Sequence, residues 1–236
     1  MRPKVRLYRI AIWAALSLAG LWGGAAGEPS RDKAGGDTPL PKPRLDGNMP
    51  LEQAIQKRRS ERDFVSQPLT LAQVSQLLWS AQGITEESIG LRAAPSAGGL
   101  YPLDLYLIIG EKGVEGLEAG IYLHNPHQHA IRLLAKGDLR DRLARACLRQ
   151  MFIAQAPVCL VITAEYRRIT DDYGDRGTRY AHIEVGHIAQ NIYLQAVAMG
   201  LGTTGVGAFY EHAVSEALSL PDQRKPLYVM PIGYPE

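Results

Sequence analysis

The stretch that decides the fold is "TRYAHIEVGHIAQNIYLQAVAMGLG", Thr178 to Gly202. For about 22 residues it carries apolar side chains on more than one helical face, and a helix of that kind is central to a core. Gly200 and Gly202 close it. The partners that could cover it lie on both sides in sequence. "LDLYLIIG" from Leu103, "APVCLVITAEY" from Ala156 and "PLYVMPIGYP" from Pro226 are near-continuous apolar runs, the pattern of strands buried on both faces. "GIYLHNPHQHAIRLL" places two strand-like runs around Asn125–Gln128 and reads as a hairpin.

Further helices are expected at four places. "PLEQAIQKRRS" opens on Pro50, with Leu51, Ala54 and Ile55 at helical spacing. "TLAQVSQLLWSAQG" starts at Thr70, a residue suited to an N-cap, and stops at Gly83. "DLRDRLARACLRQMF" from Asp138 and "EHAVSEALSL" from Glu211 complete the set. Helices and strands mix without regular βαβ alternation, so the fold class is α+β: a mostly antiparallel sheet flanked by helices.

The N-terminal region is different. "MRPKVRLYR" has four cations and no acid, "IAIWAALSLAGLWGGAA" is uncharged, and Ala25-Ala26-Gly27 supplies small residues before Glu28. Residues 1–27 therefore read as a secretory signal peptide, with a retained membrane anchor as the alternative. The expected location is exported, periplasmic or extracytoplasmic, or attached to the membrane by this segment alone. Residues 28–48 are rich in Pro, Gly and charge and read as a flexible linker. Residues 49–236 suit one domain.

The chain of 236 residues has a formal charge of +2, which becomes −2 without Arg2, Lys4, Arg6 and Arg9. Such a balance offers no footprint for nucleic acid. Cys147 and Cys159 fall in apolar patterns and are expected as buried free thiols, although an exported pair could bridge. His182 and His187 are five apart rather than four, and no CxxC or HExxH occurs, so no metal site is expected.

Three segments could carry chemistry. "KRRSERDF", Lys57 to Phe64, collects arginines and a serine at a helix end, a pattern suited to an anion and equally to a solvated terminus. "PSAGG", Pro95 to Gly99, is a side-chain-poor loop at the mouth of a strand, either a plain connector or a surface against which a flat ligand can lie. "GLGTTGVGAF", Gly200 to Phe209, exposes main-chain donors without dinucleotide-binding spacing.

Their order is more specific than any one of them. "RRSxRxF", "PSAGGLYP", "GIYLHNP", "YGDRGTRYAHIEVGHIAQNIYLQAVAMGLG" and a terminal "PIGYP" together resemble the nitroreductase superfamily, and within it the SagB-type dehydrogenase branch, over about Pro50 to Pro235. The resemblance implies an α+β homodimer that binds FMN between subunits. It implies a ping-pong oxidoreductase acting on a small molecule such as a nitro compound or quinone, or, in the SagB-like reading, a dehydrogenase acting on a peptide or small molecule. A flavin-binding module without turnover is a further alternative.

By the same resemblance, Arg58, Arg59, Ser60 and Arg62 match the segment that holds the phosphate, ribityl chain and pyrimidine edge of FMN. Pro95, Ser96, Ala97, Gly98 and Gly99 match the loop along the isoalloxazine, and Gly207 and Ala208 match backbone facing flavin O4 and N5. Asn191 matches a structural hydrogen-bonding position. Tyr173 matches the tyrosine of a Lys-Tyr pair in azoline-oxidising relatives and is the candidate catalytic residue. Asp172 stands where those relatives have the lysine, which places azoline oxidation in doubt. Relatives with a cation beyond the last strand use it on the phosphate; here that duty falls to Arg58 and its neighbours.

Overall fold

A computed structural model describes residues 36–236; the expected signal peptide or anchor lies outside them. In chain order the elements are β1 (Thr38–Pro39), α1 (Leu51–Lys57), α2 (Leu71–Gln82), β2 (Ile84–Glu86), β3 (Leu91–Arg92), β4 (Leu103–Ile109), β5 (Gly120–Asn125), β6 (Ala130–Lys136), α3 (Arg140–Ala146), α4 (Phe152–Gln155), β7 (Val158–Ala164), α5 (Arg167–Tyr173), α6 (Arg176–Ala198), β8 (Gly202–Thr203), α7 (Glu211–Ala217) and β9 (Lys225–Gly233). Seven strands form one sheet in the order β1-β6-β5-β4-β7-β9-β8. Every pairing in it is antiparallel, and β2 and β3 form a separate hairpin. The α+β class and antiparallel sheet expected from the sequence are present.

The strands are apolar throughout because both faces are covered. Leu103, Leu105, Leu107 and Ile109 of β4 join Leu160, Ile162 and Met230 against Leu77 and Leu78 of α2 and Ile188 and Ile192 of α6. The alternate residues Tyr106, Ile108, Cys159, Val161 and Val229 face Leu143, Ile153 and Val214 of α3, α4 and α7. Period-two alternation thus feeds two cores, and each fully buried Leu or Ile stabilises by about 1.5–3 kcal/mol. Thr70 caps α2 in a reciprocal box with Gln73.

Four expectations are corrected. The described part of the 28–48 linker is docked, not free: Thr38 and Pro39 pair with Ile131 and Ala130, Leu40 is buried, and Ser75 Oγ donates to the Pro41 carbonyl at 2.5 Å. Its order comes from the unpaired edge of β6, which local composition does not report. The single helix expected from Asp138 is two, because Leu148 and Arg149 adopt positive φ of 55° and 60° between α3 and α4. On α1 only Ala54 is buried; Leu51 and Ile55 are 59% and 55% exposed. The long helix α6 buries one stripe, from Gly177 and Ala181 through Ile192 and Ala196, and leaves Ile183 50% exposed. Both cysteines are free and buried, and burial pushes the Cys147 thiol up to about 12.

Candidate functional site

Helix α1 ends at Lys57, and Arg58 leaves it with φ −54° and ψ 125°. The extended segment that follows is held by backbone bonds from elsewhere: Glu61 N donates to Thr203 O and Val65 N to Tyr234 O, both at 3.0 Å. Phe64 bridges to Pro235. The Arg58 guanidinium stands 5.3 Å from the centroid of the Tyr193 ring, and Arg62 stands 5.9 Å from that of Phe152. Ser60 is exposed. Arg59 turns back instead, donating to the carbonyls of Gln56 and Arg58 at 2.8 Å. Among the described residues none of these arginines pairs with a carboxylate.

The Gly200–Ala208 segment lies alongside. Tyr193 Oη, on the residue under Arg58, accepts from Gly205 N at 2.6 Å. Val206 and Val229 exchange backbone bonds at 2.8 and 3.0 Å, which leaves Gly207 and Ala208 exposed beyond the bridge. Ala208 O accepts from Gln150 Nε2 at 3.0 Å, two residues before the Phe152 that faces Arg62. Tyr193 and the 150–152 turn therefore bring two of the three sequence-singled segments together. Neither was singled out in the sequence.

The third segment, Pro95–Gly99, sits against the N-terminal half of α6. Ser96 Oγ accepts from Tyr101 N at 2.9 Å. Ala97–Gly99 is a turn of 3-10 helix in which Gly98 has φ 64° and Gly99 φ 67°. A Cβ on Gly98 would stand 2.9 Å from Tyr173 Oη, so glycine is required there by both backbone conformation and space. Tyr173 itself packs edge-on to Tyr180 at 5.2 Å. Within one chain, Glu184 beneath this loop and Tyr193 beneath Arg58 are nine helical residues apart, or ~13 Å of helix axis.

Under the loop lies a polar group that the sequence reading missed. Glu184 is 1% exposed. It accepts from Gln82 Nε2 at 3.5 Å; its Oε2 has no partner within the protein. Burial pushes its carboxyl up to about 7, against the pull of Ser96, Gln82 and Arg92. Arg92 Nη1 donates to Gln82 Oε1 at 2.5 Å, and its guanidinium stacks 4.3 Å from the Tyr101 ring. A signal did exist, since Glu184 falls on the buried stripe between Ala181 and Ile188. Asn191 has the structural role expected of it, donating to Ser80 O at 2.9 Å.

A second cluster flanks the same tyrosine. Arg168 grips Asp104 with Nη1 and Nη2 at 2.9 and 3.1 Å and Glu165 with Nε at 2.7 Å. Arg224 Nε reaches Asp104 at 2.8 Å, and its Nη1 donates to Glu165. The Arg224 bond, ahead of opposing desolvation, holds the Glu165 carboxyl below its ordinary range. Two guanidinium groups and two carboxylates close on each other.

An uncommitted pair of arginines beside exposed main chain, with a glycine-built loop farther along one helix, can hold a planar anionic cofactor. The comparisons agree with that class. The nitroreductase family model matches residues 55–234. A nitroreductase homologue of Methanocaldococcus jannaschii is 47% identical over 183 residues, 78% of this chain and 90% of its own. The crystal structure of a nitroreductase homologue from Ralstonia eutropha superposes with a TM-score of 0.75 at 30% identity, covering 91% of this chain and 96% of that one. An NADPH-flavin oxidoreductase of Vibrio harveyi is 30% identical over 106 residues, 41% of this chain and 44% of its own. The chain belongs to the nitroreductase family, whose members are flavin-dependent oxidoreductases.

Proposed function

We propose that the protein is an FMN-dependent oxidoreductase that passes electrons between a donor and a small-molecule acceptor such as a nitro compound or quinone. The observation that carries this reading is the pairing of Arg58 and Arg62, free of carboxylates, with the Gly200–Ala208 backbone through Tyr193 and Phe152. These residues fit the cofactor. Arg58 offers a charge-assisted donor for a phosphate, Arg62 a cation for the ring's anionic edge, and Gly207 and Ala208 main-chain groups for its polar rim. Bound FMN supplies the hydride chemistry, and the chain supplies position and charge. Arg59 contributes only to the local backbone.

The site is shared between two copies of the chain. Supporting this are the ~13 Å between the loop and the arginines along α6, and the exposed Leu51, Ile55 and Ile183, apolar surface suited to a symmetric interface. The N-terminal pattern of residues 1–27 supports an exported protein.

Chromatography of the released cofactor, with the visible spectrum of the purified protein, tests the reading: FMN is expected, and FAD or no flavin after reconstitution overturns it. Arg58→Ala weakens FMN binding and leaves the midpoint potential in place, whereas Arg62→Ala lowers it by roughly 30 mV. A second reading, a SagB-like dehydrogenase of peptides, is favoured by Tyr173, whose hydroxyl abuts the loop at Gly98. It is opposed by Asp172, and Tyr173→Phe separates the two by abolishing peptide oxidation alone.

A further inference from the structure

Three buried side-chain polar atoms among the described residues have no hydrogen-bond partner within the protein: Arg92 Nε, His124 Nε2 and Glu184 Oε2. Arg92 and His124 line one cavity of about 250 Å³, together with Gln82, Asp104, His127 and Arg168. Its walls come from β3, the end of α2, β4, β5, the β5–β6 turn and α5.

The charges around it do not balance to zero. Asp104, the carboxylate in the wall, is already gripped by three donors from Arg168 and Arg224, and with Glu165 it neutralises both of those arginines. Arg92 remains. Its partners are the neutral Gln82 amide and the Tyr101 ring. Glu184, across Gln82, has its carboxyl held toward the neutral form by burial. His124 is 6% exposed, and burial, then His129 and Arg92, push its imidazole down to about 3, so the ring is neutral and carries one N–H. His127 is exposed at the rim. A guanidinium whose only side-chain hydrogen bond goes to a neutral amide and a buried imidazole nitrogen without a partner, on two residues that line one polar cavity, call for an acceptor-rich ligand of opposite charge. The volume falls below the 300–1,000 Å³ usual for cofactor and drug-sized sites, which limits the ligand to a small ion.

We propose that this cavity is a binding site for a small oxyanion, a carboxylate or phosphate, held by the guanidinium of Arg92 and the ring N–H of His124. The site is separate from the Arg58–Arg62 segment and does not depend on the flavin reading. A hydrogen-bonded chain leads from it through Arg92 and Gln82 to Glu184.

The test uses the full chain as purified, at neutral pH. Sodium acetate and sodium phosphate are titrated separately against sodium chloride of equal ionic strength, and the histidine ring nitrogens are followed by NMR. His124 is assigned from the spectrum of His124→Gln. The expected result is a saturable shift of the His124 ring with at least one oxyanion; acetate alone identifies a carboxylate site, phosphate alone a phosphate site. Arg92→Gln weakens that binding at least about tenfold. Should that variant fail to fold, the wild-type titration decides on its own. No saturable shift beyond that of chloride, with either anion, overturns the proposal, as does unchanged affinity in a folded Arg92→Gln protein.

Discussion

Two arginine clusters meet at Tyr101 and behave oppositely. On one side Arg168, Arg224, Asp104 and Glu165 form a closed set in which each charge is answered by another. On the other, Arg92, Gln82 and Glu184 form an open chain whose two ends, Arg92 Nε and Glu184 Oε2, are unpartnered. Tyr101 belongs to both, lending its carbonyl to Arg168 at 3.4 Å and its ring to Arg92. Composition does not distinguish them, since each contains arginine and glutamate. Satisfaction does. The closed set ties α5 and the approach to β9 onto β4, whereas the open chain leaves polar atoms facing a cavity and the underside of a loop.

That contrast can be broken from the closed side first. Arg224→Ala strips one donor each from Asp104 and Glu165 and is expected to lower unfolding free energy by about 3–4 kcal/mol in urea titration. A loss under about 1 kcal/mol would mean the set is a surface ornament.

Glu184→Gln acts on the open side with the opposite sign. The folded protein holds the Glu184 proton up to about pH 7, while its ordinary value is 4.5. Between those values the unfolded chain releases the proton and the folded one keeps it, so wild-type stability falls as pH rises. The glutamine variant does not titrate. It should equal wild type below about pH 4.5 and exceed it by about 3 kcal/mol above pH 7. A constant difference across that range would show that the carboxyl does not titrate as its burial requires. The smallest effect is Arg168→Lys, which keeps the charge and loses the two-pronged grip on Asp104, at about 1 kcal/mol by the same urea measurement.

Much of the fold was legible for physical reasons. β4, β7 and β9 read as strands because both faces are buried, and α2 announced itself through Thr70 and Gly83. The unreadable parts depended on distant backbone. β1 takes its order from the β6 edge, and the break after α3 uses positive φ at Leu148 and Arg149, ordinary residues that carry no turn signal. Within the candidate site, the arginine segment and Gly207–Ala208 were visible as composition, yet the residues joining them, Tyr193 and Phe152, sit in helices as unremarked aromatics. Arg59 shows the limit of reading a cluster by type, since its guanidinium serves its own chain.

The position of the arginine segment has a consequence for biogenesis. Arg58 to Val65 precedes α2, but its long-range backbone partners are Thr203, Tyr234 and Pro235, and Tyr234 also bonds Gln73, 161 residues away in sequence. Contacts of such separation form late, because the intervening chain must be ordered before they are rewarded. A nascent chain that has made α1 and α2 therefore has the arginines without the place to put them. The arginine segment reaches its final place only once β9 has docked, so any binding that depends on it separates finished molecules from those stalled one strand short.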